Sequence, residues 1–231
     1  MNNGDDTAYY LRQGFRVVAV EANPALAEAA GRRFADAIAA GRLTVLNRAV
    51  WDAPGPVTFH VNADNDHWSS VDQSWAARDD SRLRRVQVET IGLRDLVETF
   101  GVPHYVKVDI EGADLVALRQ LTQLARRPDY VSVEDCRFGF DYISTLREAG
   151  YTAFKLSDQS VVPSLRDETT GAHFPVGASG PYADALPGPW RSYDAFVDHY
   201  ARTVRDRAGQ RMAPRTQWWD IHAALSERGA S

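Results

Sequence analysis

The chain has 231 residues, 44% of them hydrophobic, and a formal net charge of −5, enough for one good-sized domain with elaborations. No run of about 20 apolar residues is present, which excludes a transmembrane helix, and MNNGDDTAYY has neither the basic nor the apolar region of a secretory signal. Acidic balance without a basic, aromatic-interleaved stripe argues against nucleic acid and leaves a small molecule or a glycan as the expected partner.

In chain order, the first strong element is a strand at 16–20, FRVVAV in context, which ends in Glu21. Pro24 suits the first turn of a helix, where its missing N–H is not needed, and that helix is expected over 24–39, stopping near Gly41. A second strand is expected at 43–47. A long excursion follows, with a hairpin arm at 57–61, a polar loop at 62–74 and a further strand at 86–90. The loop combines Asn65, Asp66, His67, Trp68, Ser69 and Ser70, a mixture more typical of binding than of simple connection. A helix at 92–100 leads to a β-branched strand at 104–109 and a helix at 112–125, whose Leu115, Leu118, Leu121 and Leu124 recur at helical spacing. The next strand, at 129–134, is followed by Cys136. As the one cysteine, it forbids an intrachain disulfide and fits a reducing, cytoplasmic setting.

A helix at 140–149 comes next. TAFKLSDQSVVP then reads as two short strands joined by Ser157, Asp158 and Gln159, an antiparallel hairpin at one sheet edge. The Gly- and Pro-rich segment 169–190 reads as a loop over one face, and two helical stretches, 193–207 and 216–227, close the chain. In the second of these, WWDIHA is expected to dock its tryptophans onto the domain. Residues 1–165 form the expected cofactor-binding domain, with 166–231 packed on it as a loop and helices. Strands alternating with helices from residue 14 to 133 indicate an α/β fold with a largely parallel sheet. In such sheets ligands bind beyond the carboxyl ends of the strands. This directs attention to Glu21 at one tip and to Asp109, Glu111 and Gly112 at another. A carboxylate at the tip of the second strand of a nucleotide-binding sheet holds a ribose diol, and each hydrogen bond to a charged group contributes roughly 1.5–3 kcal/mol.

Taken together, NNGDDT at 2–7, RVVAVEANP at 16–24, LNRAVWD at 46–52, the serine pair at 69–70, VKVDIEGADLVAL at 106–118, PDYVSVED at 128–135 and GYTAFKL at 150–156 resemble the FkbM family of S-adenosylmethionine-dependent methyltransferases. The resemblance runs to about Pro163 and fades beyond it. It implies a Rossmann-like class I methyltransferase sheet, mostly parallel, with its last strand inserted antiparallel; the hairpin after Tyr151 is the expected match. The family's first strand ends in an Asp-x-Gly-x-Asn-x-Gly turn, and Met1 falls inside that turn, so the first strand is expected to be missing from this chain.

The resemblance also implies roles for particular residues. Asn2, Gly4, Asp5 and Thr7 would belong to the turn that approaches the cofactor's methionine moiety. Glu21 would take the ribose hydroxyls with Ala22 beside it, Asn47 and Ala49 would lie near the adenine, and Ser69 and Ser70 would close over it. Asp109 would sit beside the transferring methyl, contacting the cofactor's amino group, orienting the acceptor or acting as base. Glu111 would either share that work or simply begin the next helix. Lys107 points to the same side of its strand as Asp109, with Glu134 on the neighbouring strand as an ordinary pairing partner. His67 is a candidate general base. No metal-ligand spacing appears, so metal-independent transfer to a hydroxyl of a sugar, glycan or natural product is expected. A nicotinamide-dependent oxidoreductase is the alternative enzyme, against which stands the lack of a Gly-x-Gly-x-x-Gly turn. A non-catalytic chain that keeps the fold as a binding protein is the other alternative. Oligomeric state is not legible.

Overall fold

The computed structural model describes residues 1–225. Its elements run α1 (Asp5–Arg12), β1 (Val17–Val20), α2 (Pro24–Arg33), α3 (Ala35–Ala39), β2 (Leu43–Leu46), β3 (Ala49–Val50), β4 (Pro56–Asn62), α4 (Gln73–Ala76), β5 (Leu83–Ile91), α5 (Leu93–Phe100), β6 (Tyr105–Val108), α6 (Asp114–Leu121), β7 (Tyr130–Glu134), α7 (Gly139–Glu148), β8 (Ala153–Asp158), β9 (Arg191–Ser192), α8 (Tyr193–Thr203) and β10 (Trp219–Ala224). β1 and β2 pair in parallel as a two-stranded sheet. β3, β5 and β4 make a three-stranded one, and β6–β7–β10–β8–β9 a five-stranded one. Among the described residues, no helix is long and apolar enough to cross a membrane.

Period-two alternation gives the five-stranded sheet one apolar and one polar face. Val106, Val131, Ala223 and Phe154 stand in one register row across β6, β7, β10 and β8. They join the main core with Leu118 and Leu121 of α6, Tyr142 and Leu146 of α7 and Phe196 of α8. The next row, Lys107, Ser132, His222 and Lys155, faces the other way, as does the row of Glu134, Asp220 and Ser157. Helix α1 lies over this polar face: the Tyr10 ring is 5.7 Å from that of Tyr105. A smaller core of Leu11, Ala19, Ala30, Phe34 and Leu43 holds α1, α2 and α3 to β1 and β2.

Three sequence expectations are corrected. The segment 216–227, read as a helix, contains β10 instead, which runs antiparallel between β7 and β8; residues 226 and 227 lie outside the described residues. The hairpin expected after Tyr151 is not formed. β8 is one strand, whose partners are β10 and the short β9, and Gln159–Ser164 is a 3₁₀ turn capped by Asp158. The helix expected over 24–39 breaks at Phe34 (φ −113°, ψ 24°), where its ring enters the small core. The start of that helix is as expected: Asn23 accepts the Ala25 N–H at 3.1 Å, and Pro24 follows it.

Candidate active site

β1 and β6 both end on one open cleft of about 720 Å³, solvent mouth included, lined by the apolar Ala22, Ala49 and Phe59 and by the acids Glu21, Asp109 and Glu111. Glu21 is buried. Its Oε1 accepts the Asn23 N–H at 2.8 Å, and its Oε2 accepts the Asn2 N–H and the Met1 ammonium, both at 2.9 Å. Strand-end placement and N–H groups from two turns therefore hold the carboxylate in one orientation.

Of the residues singled out from sequence, Asn2, Glu21, Ala22, Ala49, His67, Ser69, Asp109 and Glu111 all line this cleft. Gly4, Asp5, Thr7, Asn47 and Ser70 do not line it. Asn47 donates its amide to the carbonyls of Glu21 and Ala22, at 2.9 and 3.3 Å, and so locks the β1–α2 turn. Ser70 donates to the Glu111 carbonyl at 2.7 Å and accepts from the Asp72 N–H. Gly4, with φ of +83°, caps α1 against Phe34. Asp5 pairs with Arg33 at 2.9 Å, and Thr7 is buried in α1. The His67 ring stands half-exposed, 3.8 Å from Asp66.

The turn after β6 is built by a residue the sequence reading passed over. Asp114, fully buried, accepts the Ile110 N–H at 2.8 Å with one oxygen and the Gly112 N–H at 2.9 Å with the other. Burial, and then the Asp109 charge, push its pKa up to about 6. Two successive left-handed residues, Glu111 (φ 52°) and Gly112 (φ 85°), complete the bend. The excursion segment clamps onto it. Trp75 Nε1 and Arg78 Nη2 donate to Glu111 Oε2 at 2.9 and 2.7 Å, and the Arg78 guanidinium lies over the Trp75 ring at 4.1 Å. Burial outweighs these partners and, with the Asp109 charge, lifts the Glu111 pKa to about 7. A Cβ at Gly112 would stand 2.9 Å from Trp75 Cγ, in a backbone region L side chains rarely adopt. Gly112→Ala should therefore cost about 1–3 kcal/mol and displace Trp75, read as a lower melting temperature together with shifted tryptophan emission; an unchanged emission maximum would refute the contact.

Asp109 and Glu134, at neighbouring strand tips, come together with Glu111: ligand oxygens of the three lie within 4.8 Å of one another. They are close enough to share one positive charge. Lys107 supplies one, 2.8 Å from Asp109 and 3.6 Å from Asp6 of α1. The ordinary pairing of Lys107 with Glu134 expected from the strands thus gives way to Asp109. Burial lowers the Lys107 pKa, but Asp109, Asp6 and Asp220 outweigh it and hold the ammonium above its usual range. Sequence spacing gave no hint of this trio, because Glu134 reaches it only through strand register.

Residues 1–153 match the Methyltransferase FkbM domain. The chain belongs to the FkbM methyltransferase family. No curated protein and no solved structure matches it. The family match spans α1, all of the cleft and its acids, and ends at the first residue of β8. β10, which pairs with β7 and β8, lies outside the matched range.

Proposed function

We propose that the cleft binds S-adenosylmethionine and that the chain transfers its methyl group to a hydroxyl of a sugar, glycan or other natural product. The observation that carries this reading is the convergence of Glu21 at the tip of β1 and Asp109 at the tip of β6 on one cleft lined in part by apolar side chains. The donor set fits the cofactor. Glu21 presents a fixed carboxylate to a ribose diol, and the Met1 ammonium already occupies one of its acceptor directions as a hydrogen-bond donor would. Ala22, Ala49 and Phe59 give the lining apolar groups against which an adenine could pack. Asp109 and Glu111 give the reacting end a negative field suited to a sulfonium.

When bound, S-adenosylmethionine supplies an electrophilic methyl on sulfur. The chain's part is alignment and proton management. Asp109, fixed by Lys107, stands where an acceptor hydroxyl can be oriented at about 3–3.5 Å from the carbon it attacks. The same reading makes β2–β1 and β6–β7–β10–β8 parts of one class I sheet, with β10 as its inserted antiparallel strand and the family's first strand belonging between β1 and β6. Cytoplasmic, metal-independent action by residues 1–165, with the C-terminal third shaping acceptor choice, completes the reading.

Calorimetric titration of the chain with S-adenosylmethionine tests it. Saturable micromolar binding supports the reading. A folded chain giving no heat with S-adenosylmethionine, but binding a nicotinamide dinucleotide, would replace it with the oxidoreductase.

A further inference from the structure

The acids at the tips of β6 and β7 outnumber the cations that reach them. Glu134 faces Asp109, Asp220 and Glu111, and shares with them the Lys107 ammonium. Lys107 itself contacts Asp109 at 2.8 Å, and Arg78 is taken up by Glu111 at 2.7 Å. One carboxylate oxygen each of Glu134, Asp109 and Glu111 lie within 4.8 Å of one another. Carboxylates this close, with the Lys107 ammonium shared among them, do not all ionise.

Resting on the cofactor reading above, we propose that Glu134 holds a proton for Asp109 in the ligand-free site, that a sulfonium cation in the cleft expels it, and that the pair recovers a proton when that charge is discharged. The reaction balances on these residues. The acceptor oxygen forms a bond to the methyl carbon, the carbon–sulfur bond breaks with its electron pair staying on sulfur, and the acceptor's O–H proton passes to the Asp109–Glu134 pair. Expulsion makes the pair a base only while the cation is present. Loss of that cation drives the proton home.

The surrounding charges agree with this. Burial, then Asp109, Asp220 and Glu111, hold the Glu134 pKa well above the carboxylate range. Burial also raises that of Asp109, but the Lys107 and Met1 ammonium groups bring it below its ordinary value. Asp220, which stands opposite Glu134 in register, is lifted to about 7, chiefly by burial. Asp6 on α1 acts on Lys107, Asp114 on α6 carries the Asp109 turn, and Cys136 beyond β7 feels the Glu134 charge.

The test is titration calorimetry of the whole chain at pH 7.5 in phosphate and in Tris, whose ionisation enthalpies differ, with two probes. S-Adenosylmethionine carries the sulfonium; S-adenosylhomocysteine is its neutral thioether. About one more proton should be released with the first than with the second. Affinity for S-adenosylmethionine should then rise by up to tenfold per pH unit relative to that for S-adenosylhomocysteine. Glu134→Gln should bind S-adenosylmethionine with the proton release gone, which a merely structural role would not produce. Equal proton counts for the two probes in the unaltered chain would overturn the proposal by themselves, whatever the variant does. Absence of heat with both probes would overturn the cofactor reading and this inference together.

Discussion

Glu21→Ala is expected to weaken S-adenosylmethionine binding on the order of 30- to 150-fold, leaving a folded chain. The estimate follows from roughly 2–3 kcal/mol for hydrogen bonds to a charged acceptor, with each 1.4 kcal/mol worth a factor of ten. The carboxylate is buried at the end of β1 and is already oriented by the N–H groups of Asn2 and Asn23, at 2.9 and 2.8 Å. A ribose diol would therefore meet an acceptor whose conformational cost has been met by folding. The substitution also leaves those two N–H groups without their acceptor, so a modest fall in melting temperature should accompany the loss of affinity. Glu21→Gln separates the two effects. It keeps one carbonyl oxygen for the backbone donors and should recover stability more fully than affinity. Calorimetry on the three proteins decides the matter: Glu21→Ala binding as tightly as the unaltered chain would remove the ribose assignment.

What the sequence made legible, and what it hid, divides along a physical line. Strands β1, β6 and β7 announce themselves because each is a short apolar run with a helix close behind it, and the tips of β1 and β6 bring Glu21, Asp109 and Glu111 to one cleft. Asn23 and Pro24 mark the start of α2 from local chemistry alone. β10 was illegible for the opposite reason. It lies between two strands with both faces covered, so Asp220 and His222 are buried along with Ile221 and Ala223, and its polar–apolar alternation covers only four residues. One of its neighbours, β7, is also remote in sequence, and Trp218 and Trp219 at its start imitate a docking helix.

The site shows the same limit. Glu134 enters through strand register, Asp220 through a strand misread as a helix, and the Trp75–Arg78 clamp through a long excursion folding back on the Glu111 turn. Asp114 lay within a quoted motif, yet its task of bonding two backbone N–H groups of the preceding turn follows only from the bend itself. Residues proposed to contact a ligand could be read at strand tips, whereas residues that set the charge around them required the fold.

Asp135→Ala should cost about 3–5 kcal/mol, the range for removing one partner of a buried ion pair. For a chain of this size that corresponds to a melting temperature lower by roughly 6–20 °C. The Asp135 carboxylate has no exposed surface. It accepts from the Tyr200 hydroxyl of α8 at 2.5 Å, from Arg205 Nε at 3.0 and 3.1 Å, and from Arg211 at 3.5 Å. Its own N–H reaches the Trp219 carbonyl at 2.7 Å. One side chain thus gathers the end of β7, helix α8 and the segment that leads into β10. Without it, the Arg205 guanidinium, only 11% exposed in its side chain, remains buried without its carboxylate, which is the larger part of the expected cost. Asp135→Asn preserves shape and one acceptor oxygen and should lose less. Because β10 carries Asp220 opposite Glu134, loosening this junction should also disturb the acidic trio: at a temperature where the Asp135→Asn chain is still folded, proton release on S-adenosylmethionine binding should fall below that of the unaltered protein. Thermal unfolding followed by circular dichroism reads the first effect and buffer-dependent calorimetry the second. A change under about 1 kcal/mol in Asp135→Ala, the level of an exposed pair, would show that this cluster does not hold β10 in place.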